Sequence, residues 1–348
     1  MIWLFFLLVI IVIVLIMMKK IDVQYNHSKT NTSKLSESED NITEHELINP
    51  VYTSDIPDVP ENAAETVFLD WCRNGKPIGH SYPKYFFYKY GIADPILFHQ
   101  SLIDAGLLEL ASPEEIIDSM TIDELVETFG EYGIKRKKTK KALIQSIMSD
   151  VPIEKIKYEF RHYNNFWVPS EIGKKFLAEN NIFVALHKHS NWQLDYDSYL
   201  SWNHERQYKL SFYDFAELEL NRRSKLYFSS KQYGLFRNDM FYLYELYIET
   251  NKKEIAVFYI LSVLYFDLCD DTPFIASGIV SRIFELKSYI TQNLIESVCN
   301  GFDPGKYCTK EQYCSIVSDI LSNTLNFEYW QNYFDKALNN FSVQNDVK

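Results

Sequence analysis

Three observations predict a mainly α-helical protein with an N-terminal transmembrane helix, a small helical domain in the middle and a C-terminal helical bundle or helical-hairpin array. The chain opens with an unbroken apolar run. From residue 67 onward, short apolar patterns with helical spacing each follow a capping residue. From residue 201, longer segments show the same periodicity. These patterns divide the chain into residues 1–20, 21–66, 67–200 and 201–348.

The first twenty residues, MIWLFFLLVIIVIVLIMMKK, have the pattern of a single-pass anchor in the cell membrane. Their apolar run makes about 27 Å of helix, close to the thickness of the hydrocarbon core of a bilayer. The two lysines that follow place the C-terminal bulk of the chain in the cytoplasm by the positive-inside rule. A cleaved secretory signal is the alternative, but it usually carries positive charge before the apolar run. The residues that define the anchor are Met1, Trp3, Met18, Lys19 and Lys20.

Residues 21–66 are polar and acidic and show no periodicity, as in SKLSESEDNITEHE. Such a segment buries too little apolar surface to offset the entropy cost of ordering, so it is predicted to be a disordered linker. A coil of this length reaches about 35–40 Å. Sequons at Asn26, Asn31 and Asn41 would favour the opposite topology in a secretory-pathway protein.

Charge and cysteine content limit the classes of function. The formal net charge of −12 argues against a protein that coats nucleic acid with its whole surface, so polyanion binding requires a local patch. The five cysteines form no C-x-x-C pair and, with the histidines, no zinc-finger spacing. Reduced thiols are therefore expected, rather than a disulfide framework or a metal site.

The helix predicted in ADPILFHQSLIDAGLL has both of its ends marked. Asp94 is the expected N-cap, Pro95 occupies the first helical position, and Gly106 is the expected stop. The residues predicted to line its inner face are Leu97, Leu102 and Ile103.

Two capping boxes predict the next two helices. Ser112 with Glu115 begins one, and Thr121 with Glu124 begins the other. Gly133 stands where a left-handed stop belongs. The apolar face of the second helix is predicted to comprise Ile122, Leu125, Val126 and Phe129.

A basic connector follows in EYGIKRKKTKKALIQSIMSD. It leads to a helix that Thr139 can cap, with an apolar face of Leu143, Ile144, Ile147 and Met148. The free N–H groups and positive dipole of that helix end, beside six basic side chains, are what a phosphate backbone requires. The predicted nucleic-acid-binding residues are Lys135, Arg136, Lys137, Lys138, Thr139, Lys140 and Lys141.

The stretch TIDELVETFGEYGIKRKKTKKALIQSI resembles a SAP domain, a helix–extended–helix module. The resemblance implies binding to double-stranded DNA, chiefly through its backbone and with weak sequence specificity. It places the core of the module at residues 121–150, with Lys138 at the turn glycine of the family, Thr139 at the following lysine and Ser146 at a late arginine. The matching residues are Ile122, Leu125, Gly133, Ile134, Lys140, Leu143 and Ile144.

The flanking segments resemble the surroundings of SAP-like domains in bacterial and prophage proteins, which extends the resemblance over about residues 68–200. A Tyr-Gly-Ile…Leu-Ile…Gly-Leu unit precedes the module and a Ser-x-x-Gly-Lys helix follows it. The matching residues are Tyr90, Gly91, Ile92, Leu102, Ile103, Gly106, Leu107, Ser170, Gly173, Lys174, Leu177 and Asn180.

No catalytic motif is present. The sequence contains no G-x-G-x-x-G, Walker lysine loop, nucleophile elbow or H-E-x-x-H. The segment LHKHSNWQLDYDSY and the residues after it gather His187, His189, Asp195, Asp197 and His204. These residues fit either a metal site with two histidines on one face of a strand, or an ordinary polar loop after a buried IFVAL strand. We favour the loop, and predict a non-enzyme without cofactor.

Residues 201–348 are predicted to form an all-α domain. YIETNKKEIAVFYIL has the pattern of two antiparallel helices turned at Asn251. VFYILSVLYF is apolar for only ten residues between charges, so it is predicted to be a core helix rather than a second span.

Two functional readings remain open from the sequence. In the first, the protein is a membrane-tethered DNA-binding protein. In the second, it is a membrane-anchored adaptor whose helical domain binds a protein partner, while the basic connector is solvated or contacts anionic lipid.

Overall fold

The computed structural model describes residues 59–79, 81–162, 165–270, 272–302 and 306–345. This part of the chain is mainly helical, as predicted, with one small sheet. The predicted anchor and the predicted linker up to residue 58 lie outside the described residues. Within the described residues, no helix combines the length and apolarity that crossing a bilayer requires.

Seventeen α-helices and three strands are present in the described part. The helices are α1 (Ala63–Trp71), α2 (Tyr85–Tyr90), α3 (Pro95–Asp104), α4 (Pro113–Ser119), α5 (Ile122–Phe129), α6 (Lys140–Asp150), α7 (Ile153–Glu159), α8 (Glu171–Glu179), α9 (Asn181–Lys188), α10 (Tyr196–Arg206), α11 (Phe212–Ser229), α12 (Tyr233–Glu249), α13 (Lys253–Cys269), α14 (Ser277–Glu285), α15 (Gln292–Gly301), α16 (Lys310–Leu321) and α17 (Phe327–Asn345). The strands are β1 (Lys76–Pro77), β2 (Leu108–Leu110) and β3 (Phe166–Pro169).

The small sheet brings together the two ends of a segment in the middle of the chain. Strand β3 lies between β1 and β2 and is antiparallel to both, with Leu110 opposite Trp167. Next to this pair, the Ala111 N–H donates to the Phe166 carbonyl at 2.8 Å. Residues 112–165 therefore leave and re-enter the protein through one antiparallel pair, and we call them the insert.

The insert has a core of its own. Its helices α4 to α7 bury a separate cluster of apolar side chains, with Leu125, Phe129, Leu143 and Ile147 fully inaccessible. The faces predicted for α5 and α6 are confirmed, since Ile122, Val126, Ile144 and Met148 pack against the same cluster.

A second core surrounds the insert's attachment point and is built from α1 to α3, α8 to α10 and the start of α11. Phe68 lies at its centre and stacks on Phe86 with ring centroids 4.7 Å apart. Helix α1 begins at Ala63, inside the segment assigned to the linker, because Ala63, Ala64 and Thr66 are buried in this core. The predicted bounds of the linker are therefore wrong at their C-terminal end, because residues 63–66 belong to α1.

The third core is the C-terminal helical bundle, which the sequence predicted. Helices α12 and α13 form the expected hairpin, and Asn251 turns it with a φ of 55°. Helix α13 is the predicted core helix, with Ile260, Leu261 and Leu264 inaccessible to solvent. The boundary at residue 201 is not sharp, because Trp192 lies in this core while Phe215 lies in the second one.

Two local predictions were wrong. Leu97 is 57 % exposed, whereas Leu102 is buried and Ile103 packs against the second core as predicted, beside the buried Phe98 and His99. The IFVAL segment is helix α9 rather than a strand. A short apolar run does not distinguish the two, and this one buries consecutive residues, Ile182 to Val184, in the second core.

Candidate nucleic-acid interface

The connector of the insert begins at a left-handed glycine. After α5, a 3-10 turn ends at Gly133, whose φ of 82° is the stop that the sequence predicted. The chain then runs without regular structure to Thr139. Ile134 is buried in the core of the insert, so it fixes the start of the connector, which runs over residues 134–139. Every other residue of the connector is exposed.

Two basic side chains hold the connector against the acidic helices of the insert. The Arg136 guanidinium donates to the Asp123 carboxylate in the first turn of α5. The Lys140 ammonium donates to the carbonyl of Asp118 in α4. Both partners of the Arg136–Asp123 pair are mostly exposed, so the pair contributes at most about 1 kcal/mol to stability. Its main effect is to orient the connector.

The other four basic side chains point into solvent without a partner. Within the described part of the chain, they form no salt bridge and no side-chain hydrogen bond, and all four residues are exposed. We call Lys135, Lys137, Lys138 and Lys141 the lysine patch. One carboxylate lies near it. The pKa of Asp150 is lowered mainly by hydrogen bonds from Ser149 and Ser146, with a smaller contribution from Lys137.

Helix α6 begins directly after the connector, and the positive end of its dipole adds to the charge of the lysines. Thr139 is its N-cap, and the Thr139 hydroxyl oxygen accepts from the Ala142 N–H at 3.3 Å. This confirms the predicted cap. Lys138 does not adopt a positive φ, so its side chain causes no backbone strain.

Two acidic residues of the insert, Glu115 and Glu124, are used in helix capping. Glu115 accepts from the Ser112 N–H at 2.9 Å and Glu124 accepts from the Thr121 N–H at 2.6 Å, as the two capping boxes predict. The hydrogen bonds from Thr121 are the main cause of the lowered pKa of Glu124, and the charge of Lys140 contributes to it. The carboxylates of these two residues are thus directed to the N-termini of α4 and α5.

The flanking motif holds the insert on the second core. The Ser170 N–H donates to the Leu107 carbonyl at 3.0 Å, and the Ser170 hydroxyl donates to the Gly106 carbonyl at 2.6 Å. Gly173 packs so closely here that a Cβ would lie 2.1 Å from the Leu107 oxygen. Four of the residues matched in the flanks thus form one backbone junction beside β2 and β3.

Several histidines and aspartates of the segment LHKHSNWQLDYDSY have structural partners. His187, on α9, makes a 2.8 Å hydrogen bond with the Tyr90 hydroxyl, and burial is the main cause of its lowered pKa. The His189 ring contacts the rings of Trp192 and Phe212, with centroids 4.2 and 5.0 Å away. Asp195 caps α10. Among the described residues, no group of three or more histidine, cysteine or acidic side chains is arranged to hold a metal ion.

An open groove of about 650 Å³ lies along α10. Two of its polar groups are already used, since the Tyr199 hydroxyl donates to the Leu210 carbonyl and the Lys209 ammonium donates to the Glu179 carbonyl. The lining residues of the groove are Tyr196, Tyr199, Leu200, Asn203, His204, Gln207, Tyr208 and Lys209.

Comparison of the chain with protein-family models, characterised proteins and solved structures gives no match. The resemblance of residues 121–150 to a SAP domain stays a prediction from their sequence. Asp123 and Asp118, which bind Arg136 and Lys140, were not among the predicted site residues. Their spacing from the connector carries no recognisable signal, because the contacts form only when α4 and α5 pack beside it.

Proposed function

We propose that this is a membrane-tethered protein that binds double-stranded DNA through the phosphate backbone and catalyses no reaction. The insert makes the contact, with the lysine patch and the N-terminus of α6 facing the phosphates. One observation carries the proposal: four exposed lysines without a salt bridge lie in and beside a short connector, directly at a helix N-terminus.

The charge arrangement supports a polyanion as the partner. Placing four like charges this close together is unfavourable in isolation, and a phosphate chain relieves the repulsion while releasing condensed counterions. With four phosphate contacts, the logarithm of the affinity falls with the logarithm of salt concentration at a slope of about −3.6. The affinity should therefore drop about 100-fold between 50 and 200 mM salt.

Sequence discrimination is expected to be weak. Lysine contacts phosphate as a point charge, whereas base reading needs planar donors such as arginine, asparagine or glutamine in a groove. The only planar side chain of the connector is Arg136, and Asp123 already occupies its guanidinium. Contacts of this kind set the position of a protein on DNA without selecting a base sequence.

Tethering is the second half of the proposal. The apolar segment 1–20 would anchor the chain, and the acidic segment that follows would let the insert move within about 40 Å of the inner membrane surface. Like charge on the acidic linker and on the DNA would keep the two apart. The protein would then hold DNA near the cytoplasmic face of the cell membrane.

The test is a binding titration with a labelled duplex and a chain that starts at residue 59. The patch variant changes Lys135, Lys137, Lys138 and Lys141 to Gln. The matched control changes Lys225, Lys231, Lys253 and Lys336 to Gln, four exposed lysines of the C-terminal bundle with the same total charge. We expect the patch variant to lose binding and salt dependence, and the control to keep both within about threefold.

Two outcomes would overturn the proposal. Equal loss in both variants would mean that only net charge matters. Binding of the unchanged chain to vesicles containing an anionic phospholipid, without binding to duplex, would assign the patch to the membrane surface and favour the adaptor reading.

A further inference from the structure

The lysine patch is the densest group of exposed positive charge without a salt bridge in the described part of the chain. Its four ammonium groups belong to residues 135–141, and each of the four residues is exposed. The densest basic segment elsewhere, Arg222 to Lys225, has both of its arginines in salt bridges, with Glu219 and Asp239. The patch is therefore the surface that most strongly attracts an acidic segment of the protein itself.

Such a segment precedes α1 in the sequence. Residues 35–58, which lie outside the described residues, contain seven acidic side chains and no lysine or arginine. Five of the seven fall within residues 37–46, which we call the acidic run. At neutral pH the run carries five negative charges, against the four positive charges of the lysine patch. The acidic residues of the run are Glu37, Glu39, Asp40, Glu44 and Glu46.

The folded part limits the distance between the start of α1 and the lysine patch. Val59 packs against the second core, and α1 follows it. The turn after α1 contacts α4, where the Asp118 carbonyl accepts from the Lys140 ammonium. Along this path, Val59 lies at most about 55 Å from the start of α6, by the dimensions of helices and extended chain.

The chain between Val59 and the acidic run is long enough to cover that distance. Residues 37–58 span about 70 Å when fully extended, and residues 47–58 span about 40 Å. Because the run belongs to the same chain as the patch, it meets the patch at an effective concentration in the millimolar range. A single exposed ion pair is weak, but several pairs at this effective concentration occupy the patch for much of the time.

We propose that the acidic run lies on the lysine patch when no DNA is bound and competes with the phosphate backbone for it. The inference rests on the proposed function, because it makes the run an internal substitute for the DNA backbone at the same site. Duplex DNA displaces the run because it offers a higher density of negative charge and releases condensed counterions. DNA binding by the full chain is thus weaker than binding by a chain whose run is neutral.

The competition has a salt dependence of its own. Salt screens the contact between the run and the patch, so the run inhibits most at low salt. We expect inhibition of about fivefold at 50 mM salt and less than twofold at 300 mM. The affinity of the full chain for duplex should therefore fall less steeply with salt than that of a chain with a neutral run.

The first measurement detects the contact itself, in the full chain held in a neutral detergent. A carbodiimide joins a carboxylate to an amine where the two groups touch, and mass spectrometry identifies the linked peptides. We expect links between the acidic run and the lysine patch, and their loss when a saturating duplex is added. Links from the run to the four control lysines of the C-terminal bundle should be several-fold rarer.

The second measurement is a duplex titration of two charge-matched variants of the full chain at 50 and 300 mM salt. The neutral-run variant changes the four glutamates of the run to Gln and Asp40 to Asn. We expect this variant to bind about fivefold more tightly than the unchanged chain at 50 mM, and the control to stay within twofold. The control makes the same change at five exposed acidic residues of the folded part, Glu205, Glu254, Glu285, Glu328 and Asp335.

Three outcomes would overturn the proposal. The first is that no links to the lysine patch form, or that the control lysines are linked equally often. The second is equal tightening in both variants, which would mean that only net charge matters. The third is that a mixture of isotopically labelled and unlabelled chains gives links between chains, which would make the occupant the acidic run of a second copy.

Failure of the proposed function would look different. If the chain that starts at residue 59 does not bind duplex, the DNA proposal is wrong whatever the cross-links show. If that chain binds duplex while the run and the patch are never linked, only the competition is wrong.

Discussion

The guanidinium of Arg136, on the basic connector, pairs with the carboxylate of Asp123 in the first turn of α5. Because of this pair, the six basic residues of the segment do not act alike. Arg136 and Lys140 are bound to the insert itself, and only the lysine patch remains for an external partner. The effective charge offered to a phosphate chain is therefore smaller than the sequence indicates.

Asp123→Asn should strengthen DNA binding. The change removes a negative charge near the connector and releases the Arg136 guanidinium for a phosphate, so we expect a two- to fivefold lower dissociation constant at 50 mM salt, by the order of magnitude of one phosphate contact. Titration of a labelled duplex measures it. Glu127→Gln, which changes another exposed acidic residue later in α5, is the matched control. Weaker binding of Asp123→Asn would show that Arg136 acts through its orientation of the connector.

Gly173→Ala should be strongly destabilising. A Cβ at this position would lie 2.1 Å from the Leu107 carbonyl oxygen, and neither backbone can retreat without breaking the Ser170 hydrogen bonds. We expect a loss of about 3 kcal/mol in the free energy of unfolding, measured in urea. Gly234→Ala is the control, because a Cβ there meets no atom within 4 Å. It should change the stability by less than about 1 kcal/mol.

His99 should make the protein less stable as the pH falls. Its ring is inaccessible, its Nδ1 is 3.1 Å from the Tyr82 hydroxyl, and burial lowers its pKa to about 4. Between its unfolded pKa near 6.5 and this value, the unfolded chain binds a proton that the folded chain does not. Stability is therefore complete above about pH 6.5 and decreases toward pH 4.

The measurement is the free energy of unfolding at pH 7.5 and pH 5, for the wild type and for His99→Gln. From the His99 shift we expect the wild type to lose about 2 kcal/mol more than the variant over this interval. Comparing the two chains separates His99 from His187, whose lowered pKa acts in the same direction. Parallel losses in both chains would show that His99 does not titrate in this way.

Breaking the buried Arg223–Asp239 pair should be costly. The Arg223 guanidinium bonds the Asp239 carboxylate and also donates to the Trp192 and Gln193 carbonyls, at 3.0 and 2.7 Å. Burial raises the pKa of Asp239, and Arg223 opposes that shift. Either Arg223→Met or Asp239→Leu alone should lower the free energy of unfolding by about 3–5 kcal/mol, because the remaining partner is left as an unpaired buried charge.

The double variant provides the check on that pair. Since the two charges are removed together, its loss should be smaller than the sum of the single losses, by about 1–3 kcal/mol in urea denaturation. Additive losses would mean that each residue is stabilised by other groups.

The insert should be removable. The Ala111 N–H already donates to the Phe166 carbonyl at 2.8 Å, so an Asn-Gly turn can replace residues 112–165 and close a two-residue hairpin. We expect the shortened chain to fold, with a cooperative thermal transition and high helix content by circular dichroism, and to lose DNA binding. Retention of DNA binding would place the interface elsewhere, and failure to fold would show that the second core depends on the insert.

Much of the local structure could be predicted from the sequence. The caps at Asp94, Ser112, Thr121 and Thr139 are all present, and Gly133 ends its turn as expected. These features depend on hydrogen bonds between residues two to four apart, which a short window of sequence contains. Prediction failed where the result depended on which face of a segment is buried against the rest of the protein, as at Leu97 and in the segment that forms α9.

The sequence by itself determined the capped helices α3 to α6, the α12–α13 hairpin and the concentration of positive charge before α6. Only the tertiary structure decided that residues 112–165 form an insert with its own core, and that Asp118 and Asp123 bind two of the six basic residues. The physical reason is the separation along the sequence between the residues that interact. Capping is settled within one helical turn, whereas pairing across many residues depends on how whole helices pack, and that packing follows from the combined burial of all three cores.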